Sequence, residues 1–257
     1  MIAHVVHLSG GLGSWAAARR LLDRQPLGAV EILFADTKIE DEDLYRFLDD
    51  CERDLGIPIT RIADGRTPWE VFRDERFLGN SRVDPCSKLL KRELLHRWSL
   101  EHAPGATHYV GLDWTEQHRV DRFKAAMEAR GVQVEAPLAE APYLSKADIA
   151  AWATDRGIRP PRLYAMGFPH NNCGGFCVKA GHTQFKLLLE KLPERYAHHE
   201  AQEESLRAFL GKDVSIMTDR RGGKKLPMTM KTFRERVQGG GAVDAFDYGG
   251  CGCAVDA

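Results

Sequence analysis

Short apolar runs alternate with amphipathic segments along the first half of the chain. The apolar runs predict buried strands at 3–8, 29–35, 57–62, 107–112 and 132–138. The segments between them carry apolar residues at helical spacing and predict helices at 14–24, 41–56, 87–103 and 116–131. Strands separated by helices predict an α/β fold, in which helices cover both faces of a parallel sheet.

The alternation ends after about Leu138, and the rest of the chain follows a different pattern. A helix is predicted at 144–157, with Ser145 as its N-cap. One or two further helices are predicted before about Leu210. This second part therefore extends the α/β fold with helices rather than with more strands.

Two segments of the second part are rich in glycine and cysteine. One is a Pro- and Gly-rich loop at 158–177, and the other is an aperiodic tail at 239–257 that predicts a mobile or metal-tied end. We therefore predict two parts: a first domain at 1–140, and at 141–257 a helical extension with a cysteine loop and a Gly/Cys-rich tail.

Composition and charge narrow the functional class. The chain has 257 residues, of which 43% are hydrophobic and 28% charged, and its net charge is −1. These values are typical of a soluble globular protein, and they argue against general binding of polyanions by the whole surface. No apolar run approaches the roughly 20 residues of a membrane span, and the start of the chain is too short for a signal peptide. We expect a cytoplasmic protein with no membrane partner.

A glycine-rich turn, Ser-Gly-Gly-Leu-Gly-Ser at 9–14, follows the first predicted strand and precedes the first helix. Glycines in such a turn let backbone N–H groups approach a phosphate, and the N-terminus of the helix adds its positive dipole end. We expect Ser14 to cap that helix and to contact the phosphate. The spacing fits neither the Walker loop nor the dinucleotide-binding fingerprint.

Polar residues cluster where two other predicted strands end. Asp36 closes the second strand, and Gly111, Asp113, Glu116 and Arg119 follow the fourth. The carboxyl ends of parallel strands meet at one edge of a sheet, and ligands of open α/β sheets bind at that edge. We therefore expect these residues to line one crevice with the glycine-rich turn.

Five motifs lie between about Ala3 and Lys179, and they read SGGLGS, FADTKIEDEDLYRFL, GLDWTEQHR, YLSKADIAAW and LYAMGFPHNNCGGFC. In this order they resemble the PP-loop superfamily of adenine-nucleotide-binding enzymes, and most of all its phosphoadenylyl-sulfate reductase-like branch. That branch includes sulfonucleotide reductases and the sulfurtransferase of DNA phosphorothioation. The resemblance implies a five-stranded, parallel, Rossmann-like (HUP-type) sheet and a nucleotide-binding domain at 1–140.

The resemblance also implies roles for single residues. The nucleotide, ATP or a related adenine nucleotide, would contact Ser9, Gly10, Gly11, Gly13, Ser14, Asp36 and Gly111. Asp36 would lie near the nucleotide or its Mg²⁺, and the candidate catalytic residues are Asp36, Glu116, Arg119 and Lys146. The chain departs from the usual Ser-Gly-Gly-x-Asp-Ser loop, because Leu12 and Gly13 stand where a lysine and an aspartate are common. The altered loop argues against metal-assisted cleavage of ATP, but it does not argue against phosphate binding by the backbone.

The cysteines suggest a metal site. Cys173 and Cys177 flank a pair of glycines, and Cys251 and Cys253 lie in the tail. Clustered cysteines in a reducing compartment are typical of metal binding or catalysis rather than of disulfides. Four thiolates suit Zn²⁺ or an iron–sulfur cluster, and their spacings differ from those of zinc ribbons. Another cysteine, Cys51, lies in an amphipathic helix and is expected in the core.

The family resemblance favours iron over zinc and adds a fifth cysteine. Cys86 lies in VDPCSKLLKREL, a segment where cluster-bearing relatives carry a cysteine or a cysteine pair. The implied 4Fe–4S cluster would use Cys86, Cys173, Cys177 and one of Cys251 or Cys253. Zinc remains the alternative, and redox-active thiols are a third.

The histidines and a group of basic residues are the other candidates for a functional role. The histidines have no ligand spacing and are expected to be structural or exposed, including His7, His96 and His108. The basic turn at 219–225, together with Arg159 and Arg162, is either a solvated surface or a binding site for the phosphodiester backbone of a nucleic acid.

Three functions are consistent with these residues. The first is ATP-dependent activation followed by sulfur transfer to a nucleic acid, DNA or RNA, or to a nucleotide-like acceptor, with a separate sulfur donor and possible assembly as a homodimer. The second is a sulfonucleotide reductase, which the altered loop favours but the missing Glu-Cys-Gly tail opposes. The third is a non-catalytic, zinc-stabilised nucleotide-binding module of a larger complex.

Overall fold

The computed structural model describes residues 1–219, 225–244, 247 and 249. Five parallel strands form the main sheet: β1 His4–His7, β2 Val30–Asp36, β3 Ile59–Ala63, β4 Thr107–Tyr109 and β5 Val134–Glu135. Their order across the sheet is β3-β2-β1-β4-β5, so the strand order reverses between β1 and β4. The chain is therefore a doubly wound α/β protein with a five-stranded parallel sheet, as predicted.

The helices lie close to the predicted segments. Those of the first half are α1 Leu12–Leu22, α2 Glu42–Leu55, α3 Pro68–Asp74, α4 Pro85–Ser87, α5 Leu94–His102 and α6 Gln117–Glu128. A π-helical stretch at Lys88–Glu93 joins α4 to α5. Those of the second half are α7 Lys146–Asp155, α8 Arg162–Ala165, α9 His182–Lys191, α10 Pro193–Leu210 and α11 Met230–Gln238.

Several elements were not predicted from the sequence, among them α3, the short helix α8 within the predicted loop at 158–177, the strands β6 and β7, and α11. Helix α3 is only seven residues long, so its apolar residues do not establish a period, although Thr67 and Glu70 form a capping box at its start. An antiparallel hairpin of β6 Met217–Asp219 and β7 Leu226–Met228 flanks the basic turn, and α11 follows it. Of that basic turn, 220–224 lie outside the described residues.

One face of the sheet packs against α1, α2 and α7. The buried core there contains Trp15, Phe34 and Phe47, and it also contains Cys51, which confirms the prediction for this cysteine. Trp152 of α7 lies against Trp15, with ring centroids 5.0 Å apart. The segment after 140 therefore packs directly on the first domain, and the proposed boundary at 140 stays a prediction.

A second apolar core joins α3 to the helices of the extension. Its buried residues include Trp69, Phe176 and Tyr196, and His199 lies among them with 2% of its surface exposed. The Trp69 indole Nε1–H donates to His199 Nδ1 at 3.0 Å, and the imidazole stacks on Phe176 with centroids 3.8 Å apart. Burial lowers the pKa of His199 to about 3, with smaller contributions from His198 and Arg195.

We expect His199 to make the protein less stable in acid. The unfolded chain binds a proton at His199 below about pH 6.5, and the folded chain does not, so stability present above this pH is lost as pH falls. Between pH 6.5 and pH 5 one such histidine lowers the free energy of unfolding by about 2 kcal/mol. Urea unfolding at pH 7 and pH 5 should show that His199→Phe removes this share of the loss. The same substitution at the exposed His118 is the control and should leave the loss of stability unchanged. If wild type and His199→Phe lose the same free energy of unfolding between pH 7 and pH 5, the assignment is contradicted.

Candidate active site

A cavity of about 770 Å³ opens at the carboxyl edge of the sheet, between the loop after β1 and the end of β4. This is the point where the strand order reverses, which is where ligands of such sheets bind. Nine of the residues that the sequence analysis expected at this site line the cavity: Ser9, Gly11, Gly13, Ser14, Gly111, Asp113, Glu116, Arg119 and Lys146. Two others, Gly10 and Asp36, are not among the described residues that line it.

The glycine-rich turn leads directly into α1, which begins at Leu12 rather than at Ser14. Gly11 is the N-cap, no side chain caps the helix, and its first turn carries no acidic residue. The expectation that Ser14 caps the helix is therefore wrong, because Ser14 already lies within the first turn. Its hydroxyl donates to the carbonyl of Gly11 at 2.8 Å and accepts from the N–H of Ser9 at 3.1 Å. Through these two hydrogen bonds the hydroxyl connects the glycine-rich turn to the first turn of the helix.

Close packing explains why the turn is built of glycine. Gly10 has a φ of +81°, and a Cβ there would lie 2.6 Å from Leu44 Cδ1. At the other side of the turn, Gly13 and Gly111 bring two backbones together. A Cβ on Gly111 would lie 2.5 Å from the backbone nitrogen of Ser14. The end of β4 thus supports the start of α1 through direct backbone contact.

Asn171 holds the turn from the opposite side, and the sequence analysis did not identify it. Its Nδ2 donates to the carbonyl of Gly10 at 2.9 Å, and only 2% of the residue is exposed. Its Oδ1 is buried and has no hydrogen-bond partner among the described residues. Asn171 lines the cavity, so this oxygen is an acceptor available to a ligand. The only signal in the sequence was its place two residues before Cys173.

Asp36 lies at the end of β2, as predicted, but its carboxylate is already engaged. The ammonium and the backbone N–H of Lys38 bond to it at 2.9 and 2.8 Å, and the hydroxyl of Tyr45 donates to it at 3.0 Å. Burial raises the pKa of Asp36, but these hydrogen bonds outweigh it and hold the pKa below its usual range. The group is therefore a stable anion beside the crevice.

The two candidate residues after β4 form an ion pair. Arg119 donates to the carboxylate of Glu116, one helical turn away at the start of α6. Lys146 lies across the cavity at the first position of α7, where Ser145 caps the helix in a capping box with Asp148, as predicted for Ser145. The cavity wall thus holds both signs of charge near the uncapped N-terminus of α1.

The structure brings three histidines together that the sequence kept apart. His7 ends β1, His108 lies in β4, and His96 lies in α5, and all three line the inner part of the cavity. His7 Nε2 and His108 Nδ1 are 2.9 Å apart and share a hydrogen bond. The expectation that these residues are structural or exposed stays a prediction, because their placement along the cavity does not test it. No spacing along the chain could reveal this placement, because the contact depends on the pairing of β1 with β4.

A second, much smaller cavity of about 20 Å³ lies at the cysteines. Cys86 of α4 lines it together with Cys173 and Cys177 of the cysteine loop, as the sequence analysis expected for these three. Two lysines, Lys91 and Lys179, also line it. Lys91 lines the large cavity as well, so this side chain stands between the two sites.

The loop that carries the cysteines has an unusual backbone. Cys173 has a φ of +52°, and the next two residues are glycines with φ of +59° and +84°. Such a conformation is rare for a residue with a side chain and often marks a functional site. The N–H of Cys173 donates to the carboxylate of Glu40 at 2.5 Å. Glu40 also accepts from Thr37 at 2.8 Å and lies 3.5 Å from the ammonium of Lys91.

The metal site itself is not defined by the described residues. Within them, no group of three histidine, cysteine, aspartate or glutamate side chains has the arrangement that holds a metal ion. Cys251 and Cys253 lie outside the described residues. Gly249 is described, and it pairs with Ala180 in an antiparallel bridge. The bridge brings the tail to the segment that directly follows Cys177.

The arginines suggested for a phosphodiester backbone contact acidic residues of α2. Arg162 lies 2.8 Å from the carboxylate of Asp41, and Arg159 lies 3.4 Å from that of Asp43. Arg195 joins the same cluster at 2.8 Å from Asp41. These ion pairs tie the extension to α2.

Comparison with solved structures returns proteins of similar fold. A phosphoadenylyl-sulfate (PAPS) reductase from Candida auris, in a phosphate complex, is 16% identical over 67% of this chain and 81% of that one, with a TM-score of 0.47. The U34-tRNA thiolase NcsA from Methanococcus maripaludis, with its 4Fe-4S cluster, is 16% identical over 81% and 71%, with a TM-score of 0.44. An NH3-dependent NAD synthetase from Campylobacter jejuni, in complex with nitrate, is 15% identical over 84% and 89%, with a TM-score of 0.42.

These identities concern the fold alone. All three matched structures belong to the PP-loop superfamily that the motifs of this chain resemble. No protein-family profile and no curated protein sequence matches the chain. Within the described residues, no helix is long and apolar enough to cross a membrane.

Proposed function

We propose that the protein is an adenine-nucleotide-dependent enzyme that handles sulfur. In this proposal ATP is cleaved between its α and β phosphates, a substrate oxygen is adenylylated, and sulfur then displaces AMP. The acceptor is a nucleic acid or a nucleotide-like molecule. The observation that carries the proposal is the cavity at the switch point, where a glycine-rich turn and an uncapped helix N-terminus face cations across a volume suited to a nucleotide.

The phosphate end of the nucleotide is assigned to the turn at Ser9–Ser14. The first N–H groups of α1 have no side-chain cap and no acidic neighbour in the first turn, so they favour an anion. Gly11 and Gly13 line the cavity without side chains, which lets phosphate oxygens approach the backbone. Cavities of 300–1,000 Å³ are typical of small-molecule sites, and the 770 Å³ here is within that range.

Cleavage of ATP requires the charge of the departing pyrophosphate to be neutralised. Arg119 and Lys146 line the cavity and are proposed for this task, with Gly111 shaping the wall between them. Mg²⁺, when bound, would supply further positive charge, and Asp36 and Glu116 are its proposed ligands. Both carboxylates are paired with cations in the described structure, so binding of the metal requires these pairs to open.

The cysteine cavity fits a thiolate-bound metal in its chemistry. Three or four thiolates around Zn²⁺ or iron leave net negative charge, and Lys91 and Lys179 of the cavity wall are proposed to complement it. Each lysine also lies near a carboxylate, Lys91 at 3.5 Å from Glu40 and Lys179 at 3.8 Å from Asp84. A space of about 20 Å³ has room for roughly one water-sized particle. The cysteine side chains must still turn toward a bound ion, because no group of three ligand side chains among the described residues already has the arrangement that holds a metal. A four-iron cluster is larger and requires the Cys173–Cys177 loop to move outward. Cys86, Cys173 and Cys177 are the proposed ligands for either metal.

A fourth ligand is proposed from the tail. Gly249 is paired with Ala180, and Cys251 follows two residues later. Consecutive Cα atoms are about 3.8 Å apart, so two further residues extend the chain by less than about 8 Å. We propose Cys251 or Cys253 as the fourth ligand beside Cys177 on this ground.

One observation favours a second candidate, a sulfonucleotide reductase. The first turn of α1 holds Leu12 and Gly13 and lacks the carboxylate that would help to bind Mg²⁺. A reductase binds its nucleotide without cleaving ATP and has no need of that carboxylate. In this case a tail cysteine would attack the sulfur of the sulfonucleotide and displace the nucleotide phosphate, which leaves an S-sulfocysteine. A thiol donor would then attack the sulfur of that cysteine, form a disulfide with it and release sulfite.

The test separates the two candidates by their products. Protein purified without oxygen should release AMP and pyrophosphate from Mg²⁺-ATP with a suitable acceptor, and Gly11→Val should abolish nucleotide binding because its side chain enters the phosphate site. Sulfite release from a sulfonucleotide, without AMP from ATP, would replace the first candidate by the second. Iron, sulfide and zinc analysis of the same material decides the metal, and Cys173→Ala should remove it.

A further inference from the structure

The inner part of the large cavity differs in character from the phosphate end. It extends along the sheet between α5 and α6, and its walls are mainly apolar. The residues that form these walls are Leu33, Leu95, Val110, Phe123 and Met127. Three imidazoles, those of His7, His96 and His108, supply polar atoms to this inner recess, and three cations of the adjoining segments also line the cavity: Lys91, Arg92 and Arg130.

Two of these imidazoles are uncharged. Burial lowers the pKa of His7 to about 3, helped by His108, and burial lowers that of His108 to about 4, helped by His96. Since both rings are neutral near pH 7, one donates and the other accepts in the hydrogen bond between them. The pair itself therefore carries no charge and offers only neutral hydrogen-bonding atoms to a ligand.

The shared hydrogen bond fixes what the pair offers to a ligand. The remaining nitrogens, His7 Nδ1 and His108 Nε2, make no hydrogen bond within the described part of the chain. If His7 donates, its outer nitrogen is an acceptor and that of His108 is a donor, and the reverse holds for the other tautomer. The pair always presents one donor and one acceptor, and a shift of tautomer exchanges them. His96 adds a buried Nδ1 without a partner among the described residues.

We propose that this recess holds the purine base of the bound nucleotide, and that the His7–His108 pair accepts both 6-amino and 6-oxo purines by exchanging its tautomers. A planar, neutral heteroaromatic ring matches the apolar walls and carries hydrogen-bonding atoms on its edge. The inference rests on the proposed function, because it needs a nucleotide whose phosphates lie at the glycine-rich turn.

The experiment compares ligands with and without a base on the full chain. Calorimetry measures the affinities for ATP, ITP and inorganic tripolyphosphate. We expect ATP and ITP to bind within about fivefold of each other and at least tenfold more tightly than tripolyphosphate, since hydrogen bonds and apolar contacts to the base add affinity. His7→Leu and His108→Leu should each weaken ATP and ITP by about tenfold and leave tripolyphosphate unchanged. The exposed His118→Leu is the control and should change none of them.

Tripolyphosphate binding also reports whether each variant is folded. NMR of histidine-labelled wild type adds a readout without mutation: ATP should shift the ring signals of His7 and His108, and tripolyphosphate should not. Unchanged ATP affinity in both leucine variants, or unshifted signals, would overturn the base site. ATP more than a hundredfold tighter than ITP would overturn the tautomer exchange. If wild type binds neither ATP nor tripolyphosphate, the proposed function fails, and this inference fails with it.

Discussion

Gly111→Ala should disable nucleotide binding and lower the stability of the whole protein. The added Cβ would lie 2.5 Å from the backbone nitrogen of Ser14 and 2.6 Å from the carbonyl carbon of Gly13. These are backbone atoms of the first turn of α1, so no side chain can rotate away. The turn must shift, and overpacking of this kind costs about 1–3 kcal/mol or more. A shift of the N–H groups should weaken ATP binding by at least tenfold, since ligand hydrogen bonds depend on their direction.

Gly28→Ala provides the matched control. Gly28 precedes β2 on the surface, and a Cβ there meets nothing within 4 Å. Its effect on unfolding should stay within about 0.5 kcal/mol. Thermal or urea unfolding and calorimetry with ATP measure both quantities. If Gly111→Ala keeps the stability and the ATP affinity of the wild type, the start of α1 and the end of β4 are not in backbone contact.

Arg20→Met should cost about 3 kcal/mol in the free energy of unfolding, because each hydrogen bond from a charged group contributes about 1.5–3 kcal/mol. Arg20 is a buried residue of α1, only 7% exposed. Its guanidinium donates to the carbonyls of Pro137, at 2.8 Å, Glu140, at 3.1 Å, and Pro142. Methionine leaves all three carbonyls without this donor. The loop they belong to leads to Lys146, so its loosening should also increase cleavage by proteases between 137 and 146.

Arg24 lies one turn further along α1 and gives the comparison. It forms one ion pair with Glu140 at 3.4 Å, and about half of each side chain is exposed. Arg24→Met should change stability by no more than about 0.5 kcal/mol, as is usual for exposed ion pairs. Equal losses in the two variants, measured by urea unfolding, would mean that Arg20 acts only as a surface charge.

The sequence allowed the sheet and most helices to be predicted, because buried parallel strands are apolar along their whole length and amphipathic helices are periodic. The start of α1 was misplaced by two residues. Glycine disfavours helices, yet Leu12 and Gly13 belong to the first turn of α1, where the backbone packs directly against Gly111. Strand β4 ends at Tyr109 rather than at Leu112, and the residues after it form the cavity wall.

The candidate site was only partly predictable for a different reason. Motifs carry information about neighbours along the chain, and they led to the glycine-rich turn, to Glu116 and to the cysteines. The grouping of His7, His96 and His108 depends on three elements that meet only in the folded protein. Asn171 was missed because its contact with Gly10 joins residues that are 161 positions apart.

The bond between Asn171 and Gly10 has a consequence for measured affinities. Asn171 lies two residues before Cys173, so one short segment contacts both the phosphate turn and the cysteine cavity. If a metal at the cysteines moves this segment, it changes the affinity for the nucleotide, and thermodynamic reciprocity requires the nucleotide to change the affinity for the metal by the same factor. The separate dissociation constants of the nucleotide and the metal then do not describe binding to the protein completely. A third quantity, the coupling free energy, must be measured by titrating each ligand in the presence and in the absence of the other.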